Sequence, residues 1–122
     1  MNYRTHIVSS LSEIGQVQWD ALVALQDAPN PFLSFAFLHA LHESGSATPE
    51  TGWQPQYIAL YDAADRLAAA LPLYLKSHSY GEYVFDWAWA NAYEQHGLDY
   101  YPKLLSAIPF TPVAGPRLLA RD

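Results

Sequence analysis

Residues 56–75 read QYIALYDAADRLAAALPLYL, and this stretch decides the fold. The first run, 56–61, is rich in apolar and aromatic side chains, 62–66 has the composition of a turn, and 67–75 is a second apolar run. Two such runs joined by a short polar segment are typical of an antiparallel hairpin. Pro72 qualifies the second run, because a proline cannot donate to the sheet ladder and predicts an edge, a bulge or a splayed position beside a cleft.

The chain before the hairpin predicts one strand and two helices. Residues 3–9 alternate loosely, as a short strand does. A first helix, with Ser12 as its N-cap and an end near Asp27, is indicated by apolar side chains with a helical period. They are Ile14, Val17, Ala21, Leu22 and Leu25. Ser34 is a plausible cap for a second helix that ends at Gly45. Its shared apolar face holds Phe35, Leu38 and Leu41.

The chain after the hairpin contains an aromatic, acidic stretch. Residues 80–101 include eight aromatic and four acidic side chains and neither lysine nor arginine. We predict a strand up to about Phe85, then a helix over 87–96 that ends at Gly97. Residues 103–108 predict another strand, and the proline-rich tail 109–117 predicts a rigid irregular segment. Residues 44–55 predict a loop that the single aromatic residue Trp53 anchors.

These elements predict a single α/β domain of the mixed α+β type over residues 1–122. A formal charge of −6 argues against DNA binding, which requires a basic face. The chain has no cysteine, so it carries no disulfide or thiolate metal site, and it has no apolar run long enough for a membrane span. We therefore expect a soluble, cytoplasmic protein.

Four segments carry a resemblance to a known family. They read PLYLKSHSYGE at 72–82, FDWAWA at 85–90, YYPKL at 100–104 and PFTP at 109–112 with GPR at 115–117. From about Trp19 to the end, the chain resembles the FemAB-like "peptidoglycan biosynthesis/recognition" family of bacterial proteins, often labelled GNAT-family N-acetyltransferases. The resemblance implies a partial GNAT-like fold and an N-acyl- or aminoacyltransferase whose acceptor is an amine, for example of a peptidoglycan precursor.

Members of that family are much longer, so the resemblance implies that this chain is an N-terminal part that is inactive without its C-terminal half. GNAT domains bind the acyl-CoA pyrophosphate at a glycine-rich turn that opens a helix. This sequence has no such turn, so we expect no cofactor site here and assign an acyl-CoA or aminoacyl-tRNA donor to the absent half. Apolar surface that normally packs on that half predicts self-association.

Amine acylation needs groups that orient the amine and a base that takes its proton. We take Glu82 and Asp86 as candidates to hold the amine and His78 as the candidate base, since imidazole titrates near neutrality. The alternative is that Asp86 only caps a helix and that His78 is a surface histidine.

Three cations, Lys76, Lys103 and Arg117, are candidates to anchor a carboxylate or phosphate of the substrate. Internal ion pairs with acidic side chains are the alternative. The acids concerned are Glu82, Asp86 and Asp99.

Four aromatic residues are candidates to stack on a glycan. They are Tyr80, Tyr83, Trp87 and Trp89. Most rings at such spacings belong to a core, so we expect no more than one or two of them to be exposed.

His39, His42 and Glu43 lie at helical spacing, but without a third-ligand motif we predict no metal site. The functional alternative to a transferase is a non-catalytic module that recognises a glycan or peptide.

Overall fold

The computed structural model describes residues 2–82, 86–113 and 115–121. Its fold is mixed α+β, as predicted, with two antiparallel sheets of strand order β1-β3-β4-β7 and β2-β5-β6. The strands are β1 Arg4–Val8, β2 Trp53–Pro55, β3 Tyr57–Tyr61, β4 Leu67–Leu71, β5 Tyr74–Lys76, β6 Lys103–Leu105 and β7 Leu119–Ala120. The α-helices are α1 Gln16–Ala24, α2 Phe35–Glu43 and α3 Trp87–Gln95.

The predicted hairpin is present and begins earlier than predicted. The pairing of β3 with β4 and that of β2 with β5 follow the same register, apart from an irregularity at the turn end of β3. Residues 53–61 and 67–76 therefore form one long hairpin that passes from the four-stranded sheet into the three-stranded sheet.

Pro72 marks the point where this hairpin changes sheets. It separates β4 from β5, so the predicted single run over 67–75 is in fact two strands. The backbone pairing continues across the break, because the Gln56 N–H donates to the Leu73 carbonyl at 2.8 Å. Beside it, the hydroxyls of Tyr57 and Tyr74 lie 2.6 Å apart in a buried hydrogen bond. Burial raises the pKa of Tyr57 to about 12, so both phenols stay neutral at physiological pH.

The apolar core lies where α1 packs against α2 and against strands β4 and β7 of the four-stranded sheet. Trp19, one of two tryptophans in the core, is fully buried, and its indole N–H donates to the Leu33 carbonyl at 2.7 Å. The sheet and helices add buried side chains from Val8, Leu22, Leu38, Tyr57, Ala59, Ala70 and Leu119. Apolar burial of this kind is the main term that stabilises a fold.

The first helix differs from the prediction at its start. Ser10, not Ser12, is the cap, and it caps a 3-10 turn over Leu11–Glu13 rather than the α-helix. The Glu13 carboxylate completes a capping box by accepting from the Ser10 N–H at 3.2 Å. Gly15, at φ 94°, then redirects the chain before α1 begins.

The buried face of α1 also differs from the prediction, and the helix ends at Ala24 rather than near Asp27. Trp19, Leu22 and Val23 are buried, whereas Val17 and Leu25 are exposed. Ile14 is buried, but it precedes the helix, so the apolar period that began at this residue does not continue into α1.

The other two helices confirm their predictions. Ser34 caps α2 by accepting from the Phe37 N–H, and α3 ends before Gly97, which has φ 70°. The strand expected up to Phe85 falls partly on residues outside the described ranges, and residues 77–82 form no strand.

Three short elements were placed wrongly or missed. The predicted 103–108 strand is limited to β6, the 44–55 loop contains β2, and the irregular tail gives way to β7. No helix of the described residues is long and apolar enough to cross a membrane.

Candidate functional site

One face of the three-stranded sheet carries two lysines side by side. The register places Trp53 opposite Lys76, and Lys76 opposite Lys103, on three neighbouring strands. Side chains at opposed positions share a face, so both cations project to the same side of the sheet. Two like charges in this position repel each other unless an acid lies between them.

Glu82 supplies that acid. One carboxylate oxygen accepts a hydrogen bond from Lys103 Nζ at 2.8 Å, and the other lies 3.3 Å from Lys76 Nζ. The second oxygen contacts Lys76 by charge alone, since no group in the described residues donates a hydrogen bond to it. The Glu82 side chain is only 7% exposed and that of Lys76 is 0% exposed, so this charge pairing is buried.

Lys76 has two further contacts that explain how a fully buried cation is tolerated. Its Nζ donates to the Tyr80 carbonyl at 2.6 Å and lies 3.7 Å from the centre of the Trp53 ring, a cation–π distance. Burial lowers the pKa of Lys76, and the charge of Glu82 opposes that shift. The side chain therefore stabilises the turn at residues 77–82 and has no surface that a ligand can reach.

Asp86 completes the group that we call the ion-pair cluster, which consists of Lys76, Glu82, Asp86 and Lys103. Asp86 precedes the first residue of α3, but its side chain does not cap the helix. Instead it pairs with Lys103 Nζ at 2.5 Å. The predicted internal pairing of Lys76 and Lys103 is thus present, and its partners are Glu82 and Asp86.

Two hydroxyl groups also donate to the Asp86 carboxylate. Ser79 donates to Oδ1, and Tyr100 donates to Oδ2. The Tyr101 hydroxyl lies 2.5 Å from the Ser79 Oγ. Because a carboxylate only accepts, the Ser79 proton points to Asp86, and Tyr101 must be the donor to Ser79.

These contacts fix the charge state of the cluster. Partial burial raises the pKa of Asp86, but the hydrogen bonds from Lys103, Ser79 and Tyr100 outweigh it and hold that pKa well below its usual range. Burial lowers the pKa of Lys103, but its bonds to Asp86 and Glu82 outweigh burial and raise it. The hydrogen bond to Asp86 raises the pKa of Tyr100 to about 12. At neutral pH Asp86 and Lys103 are therefore both charged, and Tyr100 is neutral.

Asp86 is also the most open member of the cluster, with 20% of its side chain exposed against 13% for Lys103. A carboxylate has about four lone-pair positions, and Lys103, Ser79 and Tyr100 use three of them. No side chain of the described residues occupies the remaining acceptor position, and the exposed fraction gives solvent or a ligand access to it.

His78 lies beside the ion-pair cluster and contacts other groups. Its Nδ1 accepts the Tyr80 N–H at 3.1 Å, which leaves the proton of a neutral ring on Nε2. The Nε2 side packs on Gly52 so closely that a Cβ at that position would lie 2.2 Å from it. A role as base, which stays a prediction, requires this ring to turn.

The predicted aromatic residues are more exposed than expected. Tyr80, Trp87 and Trp89 are 64%, 55% and 66% exposed, so the expectation of no more than one or two exposed rings is wrong. For Trp87 and Trp89 the reason is that α3 buries none of its residues and holds its rings outside the core. Tyr83 lies outside the described residues.

The remaining predicted cation, Arg117, holds the tail. Its guanidinium donates to the carbonyls of Val113 at 2.6 Å and Gly115 at 3.2 Å. It therefore stabilises an irregular segment, and its predicted contact with a substrate stays a prediction. Within the described ranges, no group of three histidine or acidic side chains is placed to hold a metal ion.

A shallow cleft of about 380 Å³ lies beside the cluster and was not predicted from the sequence. It is lined by Pro49, Gly52, Gln54, Leu75, Ser77, Tyr101 and Pro102. Tyr101 belongs to both sites, because its hydroxyl bonds Ser79 while the residue forms part of the cleft wall. The sequence signal nearest to this cleft is the aromatic pair 100–101, of which Tyr101 lines it. Most of the other lining residues come from 49–54 and 75–77, which are distant in the chain.

Residues 10–122 match a family model named FemAB-like and described as peptidoglycan biosynthesis/recognition. No curated protein matches the chain, and no solved structure does. The matched range covers nearly the whole chain and contains both the ion-pair cluster and the cleft. The chain therefore belongs to the FemAB-like family of peptidoglycan biosynthesis/recognition proteins.

Proposed function

We propose that this domain binds the amine acceptor of an N-acyl- or aminoacyltransferase whose acceptor is a peptidoglycan-type peptide. The observation that supports the proposal best is Asp86, an ionised and partly exposed carboxylate with one acceptor position that no side chain of the described residues occupies. An ammonium group fits that position because a charge-assisted hydrogen bond to a carboxylate is stronger than a neutral one.

The cluster around Asp86 is suited to orient an amine rather than to carry out proton transfer. The pKa of Asp86 is too low for a base at neutral pH, and those of Lys103 and Tyr100 are too high. In the proposed reaction the bound ammonium first loses a proton, and the neutral amine nitrogen then attacks the acyl carbonyl. The second proton of that nitrogen leaves with the donor's thiol or hydroxyl. We propose His78, which is adjacent to Ser79 in the chain, as the group that takes the first proton.

The rigidity of the cluster supports the same role. Asp86 is held from three directions, by β6 through Lys103, by the 77–82 turn through Ser79 and by Tyr100. A carboxylate fixed in this way loses little conformational entropy when a ligand binds, and it presents its free position in one orientation. The acyl donor, whether acyl-CoA or aminoacyl-tRNA, lies outside the proposal for this domain.

A non-catalytic recognition module is the second candidate, and the exposed rings favour it. Tyr80 and Trp89 are each about two-thirds exposed, and exposed aromatic faces bind sugars and cations. In this case the same cluster positions the ligand, and no acyl group is transferred.

The test is calorimetric titration of the protein and of Asp86→Asn with two muropeptides, one with a free side-chain amine and one whose amine is acetylated. We expect Asp86→Asn to weaken binding of the free amine about tenfold, the value of one charge-assisted hydrogen bond. Binding of the acetylated ligand should be unchanged. Asp62→Asn, in the turn between β3 and β4, is the matched control.

The proposed amine site is contradicted if the parent protein and Asp86→Asn bind the free-amine muropeptide with the same affinity, and if neither distinguishes it from the acetylated one. Transfer is tested separately, by mass analysis of the muropeptide after incubation with acetyl-CoA or an aminoacyl-tRNA. Amine binding without any transfer favours the recognition module over the transferase.

A further inference from the structure

We infer that the cleft beside the ion-pair cluster is a binding subsite for a neutral pyranose ring of the N-acetylhexosamine class. The cleft lies on the opposite face of the three-stranded sheet from the two lysines. Gln54 pairs with Leu75 in the register, and both line the cleft, whereas the neighbouring pair Trp53 and Lys76 faces the cluster. The subsite is thus distinct from Asp86.

The lining of the cleft decides the chemistry of its ligand. No charged side chain is among the seven described residues that line it. A charged ligand group would lose its hydration there without gaining a partner, so the cleft favours an uncharged one. A volume of about 380 Å³ is within the range of small-molecule sites and suits one or two sugar rings.

The polar groups of the lining are available to a ligand. The side chains of Gln54 and Ser77 are exposed and make no hydrogen bond to any residue that the structure describes. The Gln54 amide can donate and accept, and the Ser77 hydroxyl can do both. This combination matches the hydroxyls and the acetamide of an N-acetylhexosamine.

The apolar groups of the lining suit the C–H face of a sugar. Leu75 and Pro102 supply aliphatic surface, and Tyr101 supplies an aromatic ring. The Tyr101 hydroxyl is fixed at 2.5 Å from Ser79 Oγ, so the ring has little freedom to lose on binding.

Backbone hydrogen bonds form the walls before any ligand arrives. The Gly52 N–H donates to the Pro49 carbonyl at 3.0 Å, and the Ser77 N–H donates to the Gly52 carbonyl at 3.4 Å. Gly52 has φ 83°, a conformation that side chains disfavour, and His78 packs against it from the other side. The cleft is therefore largely pre-formed, as ligand sites usually are.

This inference holds whether the domain belongs to a transferase or to a recognition module, because the sugar site does not use the amine site. Together, the two sites would bind a ligand that carries both a neutral sugar and a peptide amine. Tyr101 and Ser79 join the two sites through hydrogen bonds that end at Asp86.

The experiment compares N-acetylglucosamine with glucosamine, which has the same ring and carries a positive charge in place of the acetamide. Binding is followed by amide chemical-shift changes in the ¹⁵N-labelled protein. We expect N-acetylglucosamine to shift the Gln54 side-chain amide and the Gly52 and Ser77 backbone amides. We expect glucosamine to leave these signals unchanged.

The variants Gln54→Ala and Ser77→Ala together should raise the Kd for N-acetylglucosamine by about fivefold or more, since two hydrogen bonds are lost. Gln95→Ala, an exposed glutamine on α3, is the matched control and should bind like the parent. All three side chains are exposed, so the fold is preserved.

The inference is overturned if N-acetylglucosamine leaves the cleft signals unmoved, if glucosamine shifts them equally, or if the double variant binds as well as Gln95→Ala. The outcome is separable from the amine proposal, because N-acetylglucosamine carries no amine and Asp86 does not line the cleft. Loss of amine binding in Asp86→Asn together with an inert cleft would support the first proposal and contradict this one.

Discussion

The two sheets share one hairpin, yet their interiors are held together by different forces. The four-stranded sheet and α1 bury apolar side chains between them, such as Leu67 from β4 and Leu22 from α1, with no exposed surface on either. The three-stranded sheet places Lys76 and Lys103 on its inner face and compensates them with Glu82. Removing part of an apolar contact leaves a void, whereas removing one member of an ion pair leaves an unpaired buried charge.

The largest effect is expected from Lys103→Met, which tests whether the charged half depends on pairing. The substitution leaves Asp86 without a cation and Glu82 with Lys76 alone. Breaking a buried pair on one side costs about 3–5 kcal/mol in the free energy of unfolding. Urea unfolding of the variant and its parent measures this difference.

Arg66→Met is the matched control in the other half of the molecule. Arg66 pairs with Asp62 at 3.0 Å in the exposed turn between β3 and β4, and exposed pairs contribute at most about 1 kcal/mol. If Lys103→Met costs no more than Arg66→Met, the ion-pair cluster does not stabilise its sheet and the distinction between the two halves fails.

Leu22→Ala tests the apolar half and should lower the free energy of unfolding by about 2–5 kcal/mol. The middle of this range lies slightly below that expected for Lys103→Met. Leu22 is fully buried, so the variant loses transfer free energy and leaves a cavity. Val17→Ala, on the exposed side of the same helix, should change stability by less than about 0.5 kcal/mol. Equal costs at the two positions would show that α1 packs on a different face.

The smallest expected effect is in the acid dependence of stability. The folded-state pKa of Asp86 lies well below the ordinary value of about 3.9, so its contribution is complete above that pH. It is lost as the pH falls through the folded-state pKa. The free energy of unfolding should therefore decline below about pH 4, and less steeply in Asp86→Asn.

Asp62→Asn is the comparison for this measurement. Hydrogen bonds from the Arg66 backbone lower the pKa of Asp62 too, but in an exposed turn outside the cluster. If the decline flattens only in Asp62→Asn, the acid sensitivity belongs to the turn and Asp86 contributes none.

The difference between the halves also explains what the sequence could predict. The hairpin, α2 and α3 follow from local patterns, because Ser34, Gly45 and Gly97 act on neighbouring residues. The prediction for α1 was wrong in phase, because Gly15 interrupts the apolar period between Ile14 and Val17. The type of a long, regular element can be predicted from sequence more reliably than the residues at which it begins and ends.

The ion-pair cluster was only partly predictable. Lys76, Glu82, Asp86 and Lys103 were each candidates, and pairing among them was one of two alternatives. Their geometry depends on the register of β5 with β6, which joins Lys76 to Lys103, 27 positions further along the chain, and leaves no local pattern. The cleft was missed for the same reason, since its lining comes from three separate segments, 49–54, 75–77 and 101–102.

The bend at Pro72 has a consequence for how this protein opens. Backbone pairing runs unbroken from β2 and β5 into β3 and β4, and the Tyr57–Tyr74 hydrogen bond fastens the corner. Local unfolding that begins in the three-stranded sheet meets no unpaired segment of the hairpin before it reaches the four-stranded sheet. Local unfolding of the small sheet should therefore spread into the large one, and amides on both sides of the corner should exchange with solvent through a single shared opening event.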